Sequence, residues 1–221
     1  MNLNLDRARN NMVEQQIRPW AVLNQTVLNT FRFLPREKFV PAQWQSLAFA
    51  DTEIPLGHGE TMMFPRVEAR MLQDLAVQPH DECLEIGTGS GFVTACLAHL
   101  GQHVDSVDLY TDLSQQAEKH LHTIDINNFN LYVDDASYGW EGNAGKQYDV
   151  IAVTGSIPEY NPAFEQRLTV GGRLFVVVGQ APTMHAMLIT REDHHQFSHQ
   201  VLFETVIKPL EGAEPPTQFH F

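Results

Sequence analysis

The stretch "CLEIGTGSGFVTACLAHLGQHVDSVDLY", residues 83–110, decides the fold. A short apolar run over Glu82–Ile86 meets glycines at Gly87, Gly89 and Gly91. A helical pattern follows over Phe92–Leu100, and a second apolar run, Val104–Asp108, ends in an acid. Strand, glycine turn, helix and strand in this order form a βαβ unit that cradles a nucleotide. The spacing says which one. A dinucleotide fingerprint wants its third glycine where this chain has Phe92, and a P-loop needs a Gly-Lys pair where no lysine occurs. Glu85, two before the first glycine, would repel a pyrophosphate but suits a cationic group such as the amine of a methionyl moiety. Asp108 lies about 20 residues beyond Gly87, where a carboxylate accepts both ribose hydroxyls. Asp135 follows the third strand, within reach of an adenine amino group. A tight turn among solvated acids is the plain alternative. Acids after three successive strands, at the edge where α/β sheets bind ligands, instead point to S-adenosylmethionine.

Outward from this unit the chain has two textures. Residues 1–79 read as a helical extension with irregular loops: Leu5–Ile17, Val22–Phe31, a short piece at Trp44–Ala48, and Val67–Leu75, whose Val67, Met71, Leu72 and Leu75 share a face. Residues 80–221 alternate strand and helix. Further strands are expected at Leu131–Val133, Asp149–Val153, Leu174–Val178, Ala186–Thr190 and Val201–Ile207. A second helix is expected over Leu113–Leu121, with Asp112 as its N-cap. Such alternation predicts a doubly wound, mostly parallel α/β sheet with helices on both faces. "REDHHQFSHQ" joins the last two strands without a helix, so they form an antiparallel edge pair. The whole is expected to be one structural domain.

At 221 residues the chain can bury one sizeable core. No apolar stretch approaches the roughly 20 residues of a membrane helix, and "MNLNLDRARNNMVEQQIRP" lacks a secretory apolar region. A cytoplasmic setting is the expectation. The formal charge is −13 with no basic stripe, which disfavours a nucleic-acid partner. Cys83 and Cys96 read as small buried residues, without metal spacing or nucleophile partners. His194, His195 and His199 lie close in sequence but have no cysteine or acid at a familiar ligand spacing, so no metal is expected. Trp44 and Trp140 read as packing residues.

The chain resembles the protein-L-isoaspartate O-methyltransferase family over nearly its whole length. "LEIGTGSGFVTACLAHL" is similar to that family's first motif, "VDSVDL" to its ribose-binding segment and "DDASYGW" to its G-D-G-x-x-G-W loop. "YDVIAVTGSIPEYNPAFEQRLTVGGRLFVVVG" resembles the stretch through its fourth and fifth strands. Upstream, "LPREKFVP", "ADTEIPLGHGET" and "PRVEARM" resemble its N-terminal half, which contributes to the substrate cleft. The resemblance implies a Rossmann-like fold and methyl transfer from S-adenosylmethionine to a side-chain carboxylate of damaged protein. By position it implies a cofactor site of Glu85, Gly87, Thr88, Gly89, Ser90, Gly91, Asp108, Leu109, Asp135 and Ala136.

The family's T-I-S-Q-P loop falls on Thr61, Met62, Met63, Phe64 and Pro65, and there the chain departs from it. Methionine stands for the substrate-binding serine and phenylalanine for the glutamine; "RPWAVLNQ" also departs from the usual glycine-rich turn. Thr61 is the candidate donor to a substrate carboxylate, or else a cap for the helix at Pro65. One unpaired substrate group in a closed cleft costs about 1–3 kcal/mol, so isoaspartyl methylation is expected to be weak or absent relative to a relative bearing the serine. Three classes stay open: a protein carboxyl methyltransferase, a methyltransferase acting on a small-molecule acid in a more apolar cleft, and a cofactor-binding protein without turnover.

Overall fold

The computed structural model describes residues 3–213; residues 1–2 and 214–221, the ends of the two predicted segments, lie outside them. Helix α1 (Leu3–Met12) runs into a wider π-helical turn, Val13–Ile17, which buries Val13 and Ile17. Helix α2 (Gln25–Phe33) begins later than the apolar pattern suggested, because Asn24 caps it. The Asn24 side chain accepts from the amides of Thr26 and Val27. A 3-10 run, Ala42–Leu47, stands where the short piece was expected. Next comes an element that the sequence did not announce: β1 (Ile54–Gly57) and β2 (Glu60–Met62) pair antiparallel. His58, at the turn, has a positive φ, as do Gly57 and Gly59 on either side. Strands this short carry no alternation to read. Helix α3 (Pro65–Leu75) follows.

The core is β3 (Glu82–Ile86), α4 (Phe92–Leu100), β4 (His103–Asp108), α5 (Thr111–Thr123), β5 (Phe129–Val133), β6 (Tyr148–Ile157), β7 (Leu168–Gln180), β8 (Thr183–Arg191) and β9 (Phe197–Glu204). The sheet order is β5-β4-β3-β6-β7-β8-β9. The first five strands are parallel, and β8 and β9 add antiparallel at one edge. This is the expected doubly wound sheet with its antiparallel end. Three details differ from the sequence reading. Strand β9 stops at Glu204, and Ile207 belongs to a segment that folds back. Tyr110 rather than Asp112 is the N-cap of α5. The third concerns the faces of the sheet.

Strand residues alternate between two cores. Val150, Ala152, Phe175 and Val177 pack with the helices. Ile151, Val153, Leu174 and Val176 pack on the opposite face with Trp140 and Phe164. That second face is covered by the connections 134–147 and 158–167, not by the helices expected there; their only helical piece is the 3-10 turn Glu165–Arg167. Polar anchors replace helical packing. Buried Asp105 of β4 accepts from Asn130, Asn143, Lys146 and Tyr148. Burial opposes its charge, but Lys146, Asn130 and Tyr148 outweigh that and hold its pKa down to about 2. Arg167 donates to the carbonyls of Trp140, Gly142 and Lys146, fixing the covering loop.

On the helical face, Arg36 is wholly buried. It pairs with Glu68 of α3, donates from Nη2 to the carbonyl of Met63 at 3.0 Å, and lies over the Phe92 ring of α4 at 4.7 Å. One guanidinium thus ties the N-terminal helices to the core. Removing one partner of a buried ion pair strands the other's charge, whereas replacing both with apolar groups does not. Arg36→Ala should therefore cost about 3–5 kcal/mol in urea denaturation, and Arg36→Met combined with Glu68→Leu much less. Equal losses in the two proteins would contradict this assignment.

Candidate active site

The strand order reverses between β3 and β6, since β4 and β5 build one way from β3 and the chain then crosses to the other side. Such a switch point opens a crevice beyond the carboxyl ends of the strands. A cleft of about 760 Å³, including its open mouth, occupies it. Gly87 and Gly89 form its floor, and Asp108, Leu109 and Tyr110 follow β4 along one wall. Asp134, Asp135 and Ala136 follow β5, while Thr154 and Gly155 come from β6. Leu56, Glu60, Thr61 and Met63, from the β1–β2 hairpin and the residues after it, form the roof. The returning segment Ile207–Glu211 closes the remaining side.

The floor is built by exclusion. Gly87 has φ +97°, and a Cβ there would stand 2.3 Å from Thr154 Oγ1. That hydroxyl is needed where it is, donating to the carbonyls of Ile86 and Gly87. Asp108 sets the loop above the floor by accepting the Gly89 amide at 2.7 Å and the Tyr110 amide at 2.8 Å. Burial raises the pKa of Asp108, and the two amides oppose that rise. Each of its oxygens has taken one amide and keeps a further acceptor site. Asp135 accepts the Ser137 amide, which lowers its pKa, while Asp134 accepts from Trp140 Nε1 at 3.0 Å.

Glu85 lies elsewhere. Its side chain faces a small chamber beneath the cleft, together with Thr88, Ser90, Met62 and Glu68; Thr61, Met63, Gly87 and Gly89 border both spaces. Thr94 Oγ1 and Ser106 Oγ donate to Glu85 Oε2 at 2.5 and 2.6 Å. Oε1 is buried with no partner. Burial pushes the pKa of Glu85 up to about 8, against those two hydroxyls. A buried carboxyl with one orphaned oxygen beside the glycine floor fits a ligand that brings an ammonium group. Gly91 lines none of these spaces; a Cβ there would meet Ala117 of α5 at 2.9 Å. Phe64 also faces away, its ring under the Arg66 guanidinium at 4.3 Å. It adds no apolar surface to the cleft, contrary to the expectation for the loop. Phe64 stands at the N-cap of α3 with no side-chain cap, so Thr61 does not cap that helix.

The hairpin is fastened on two sides. His58 stacks on Tyr110 at 4.0 Å, and its Nε2 is 3.0 Å from both carboxylate oxygens of Asp112. Glu60 pairs with Lys208 of the returning segment. Beyond Thr61 a second cavity of about 1110 Å³, including its open mouth, runs between Glu53, Pro158, Gln180, Met184 and Lys208. Thr61 borders all three spaces.

Several lining residues escaped the sequence reading. Thr154 follows the expected strand Asp149–Val153 at the ligand-binding edge and lies within β6, so the rule that found Asp108 and Asp135 reaches it too. Glu53, Tyr110 and Ile207–Glu211 had no local signal. The last are brought in by Ser156, whose amide donates to the Lys208 carbonyl and whose carbonyl accepts from Leu210, both at 2.9 Å. His194 and His195 lie in the β8–β9 turn, and His199 sits against Tyr160 and Glu165. Among the described residues no three histidine, cysteine or acidic groups converge to hold a metal ion. Cys83 and Cys96 are buried, and burial pushes both thiols up.

Sheet order and glycine floor define the class: a Rossmann-like methyltransferase fold. The solved structures most similar to it include one from Plasmodium falciparum described as a protein-L-isoaspartate O-methyltransferase in complex with S-adenosyl-L-homocysteine. It matches with a TM-score of 0.77 at 20% identity, over 92% of this chain and 98% of that one. The family model for protein-L-isoaspartate(D-aspartate) O-methyltransferase matches residues 7–214. The protein-L-isoaspartate O-methyltransferase of Protochlamydia amoebophila (strain UWE25) is 36% identical over 92% of this chain and 96% of its own length. The corresponding protein of Koribacter versatilis (strain Ellin345) is 33% identical, over 95% and 92%. The chain belongs to the protein-L-isoaspartate(D-aspartate) O-methyltransferase family.

The raised pKa of Glu85 has a measurable sign. A carboxyl that is harder to ionise in the folded state stabilises the fold fully below its unfolded pKa of about 4.5, and that stability is lost as pH rises through about 8. Glu85→Gln mimics the neutral form. Without ligand, its stability relative to the native protein should rise by roughly 2–5 kcal/mol between pH 5 and pH 8.5, read by denaturant titration at each pH. A difference independent of pH would contradict the assignment.

Proposed function

We propose that the protein transfers a methyl group from S-adenosylmethionine to the free carboxylate of L-isoaspartyl or D-aspartyl residues in damaged peptides and proteins. Family membership supports an S-adenosylmethionine-dependent methyltransferase. The observation that carries the finer reading is the meeting, at Thr61, of the glycine-floored cleft with a second cavity open to solvent. One side suits a donor and the other an acceptor that arrives as part of a larger chain.

S-adenosylmethionine supplies an electrophilic methyl group on a sulfonium. In this reading Asp108 binds the ribose, Asp135 and Leu109 border the base, and Glu85 ionises to meet the amino group. A substrate carboxylate with a pKa near 4 is already charged at neutral pH, so no general base is required. The carboxylate oxygen bonds to the methyl carbon as the carbon–sulfur bond breaks. That electron pair stays on sulfur, and no proton moves. What remains for the protein is alignment and exclusion of water. The fastened hairpin serves both, with Thr61 donating to the carboxylate at the junction. Because Phe64 faces away, only Met63 makes the cleft more apolar, which removes most of the support for a small-molecule acceptor. Among the described residues no helix is long and apolar enough to cross a membrane. Two free, buried cysteines accord with a cytoplasmic setting.

The test is transfer of labelled methyl to an isoaspartyl peptide, with the aspartyl peptide of the same sequence as control. Weak turnover confined to the isoaspartyl form is expected. Met63→Ser should raise kcat/KM by roughly five- to 150-fold by restoring one donor to a substrate group. No transfer to the isoaspartyl peptide before or after this change would overturn the reading.

A further inference from the structure

We propose that Lys208 receives the acceptor's carboxylate, together with Thr61, at the seam between the two cavities; this rests on the methyl-transfer reading of the cleft. The starting point is charge. Glu53, Glu60, Asp108, Asp134, Asp135 and Glu211 line the two cavities, and Lys208 is the one cation among the described residues that do so. An ionised acceptor entering this space in a chain of net charge −13 meets repulsion on nearly every side. A carboxylate settles where a cation offsets that field, and only one is present.

Position agrees with charge. Lys208 borders both the donor cleft and the outer cavity, as Thr61 does. Its backbone is fixed: the Lys208 carbonyl accepts the Ser156 amide, and the carbonyl of neighbouring Ile207 accepts from Ser156 Oγ at 3.1 Å. The side chain is about a third exposed and lines both spaces. An ammonium has three donors, and Glu60 takes one. Lys208 and Thr61 line the same two cavities, so the ammonium and the candidate donor hydroxyl border one seam. Methyl transfer turns the anion into a neutral ester. The product loses the ion pair that held the substrate, and exchange is favoured.

The competing role is structural: Lys208 holds the hairpin through Glu60 and touches no substrate. The experiment uses the full chain saturated with S-adenosylhomocysteine. Binding of an isoaspartyl peptide is compared with binding of the same peptide as its methyl ester, by calorimetry. The native protein should prefer the acid by about five- to 30-fold, the range for a partly exposed charge-assisted hydrogen bond. Lys208→Met should abolish the preference, Lys208→Arg should keep most of it, and Glu60→Gln should keep it with the ammonium released. Thermal melts identify any variant that does not fold, and the arginine variant then carries the comparison. No acid preference in the native protein, or equal loss in Lys208→Met and Glu60→Gln, would overturn the proposal. Acid preference without turnover would overturn the proposed reaction and leave this assignment standing.

Discussion

The buried guanidinium of Arg36 is the constraint on which the site depends. It pairs with Glu68 of α3, holds the Met63 carbonyl just after β2, and covers the Phe92 ring at the start of α4. Phe92 begins the helix three residues after Gly89 of the floor. One side chain from the N-terminal helices therefore fixes the distance between the roof of the cleft and its floor. An apolar residue could fill the space but has no donor for the Met63 carbonyl. Burying a charge is costly unless it is paired, and here Glu68 borders the chamber beneath the cleft while Met63 borders both spaces.

Around that anchor the cleft is assembled from parts that are far apart in sequence. The switch between β3 and β6 opens the crevice, as it must in any sheet of this order. Left open, it would admit water to a reaction that depends on excluding it. The hairpin closes it from above, fastened by His58 on Tyr110 and Asp112 and by Glu60 on Lys208. The returning segment closes it from the side through Ser156. Donor and acceptor spaces then share a narrow seam at Thr61, Glu53 and Lys208.

The β3–α4–β4 unit was legible in the sequence because its signals are local: apolar runs, glycine spacing, and an acid at the end of a strand. The same rule placed Asp108 and Asp135 at the cleft, where both line it. Glu85, two residues before Gly87 in β3, faces the small chamber that borders the cleft, which spacing does not reveal because alternate β3 side chains face the helical core. Met63 and Phe64 are adjacent, yet one lines the cleft and the other lies under Arg66. Only the turn into α3 decides which. Arg36, Glu53 and Lys208 were beyond local reading. A charged residue in "LPREKFVP" or "VIKPLEG" looks like an exposed turn until partners tens of residues away, or more than a hundred, bury it or bring it to the cleft. Helices were expected on the second face because alternation implies them, and loops anchored by Asp105 and Arg167 cover it instead.

The central claim is that hairpin and glycine loop form one site and respond to the donor together. Hydrogen–deuterium exchange with and without S-adenosylhomocysteine tests it most directly. The account predicts added protection in both 54–63 and 86–91 in the native protein. In the Arg36→Met, Glu68→Leu double variant, protection of 54–63 should diminish while that of 86–91 persists. Protection of 86–91 alone in the native protein, with 54–63 unchanged by ligand, would contradict the account.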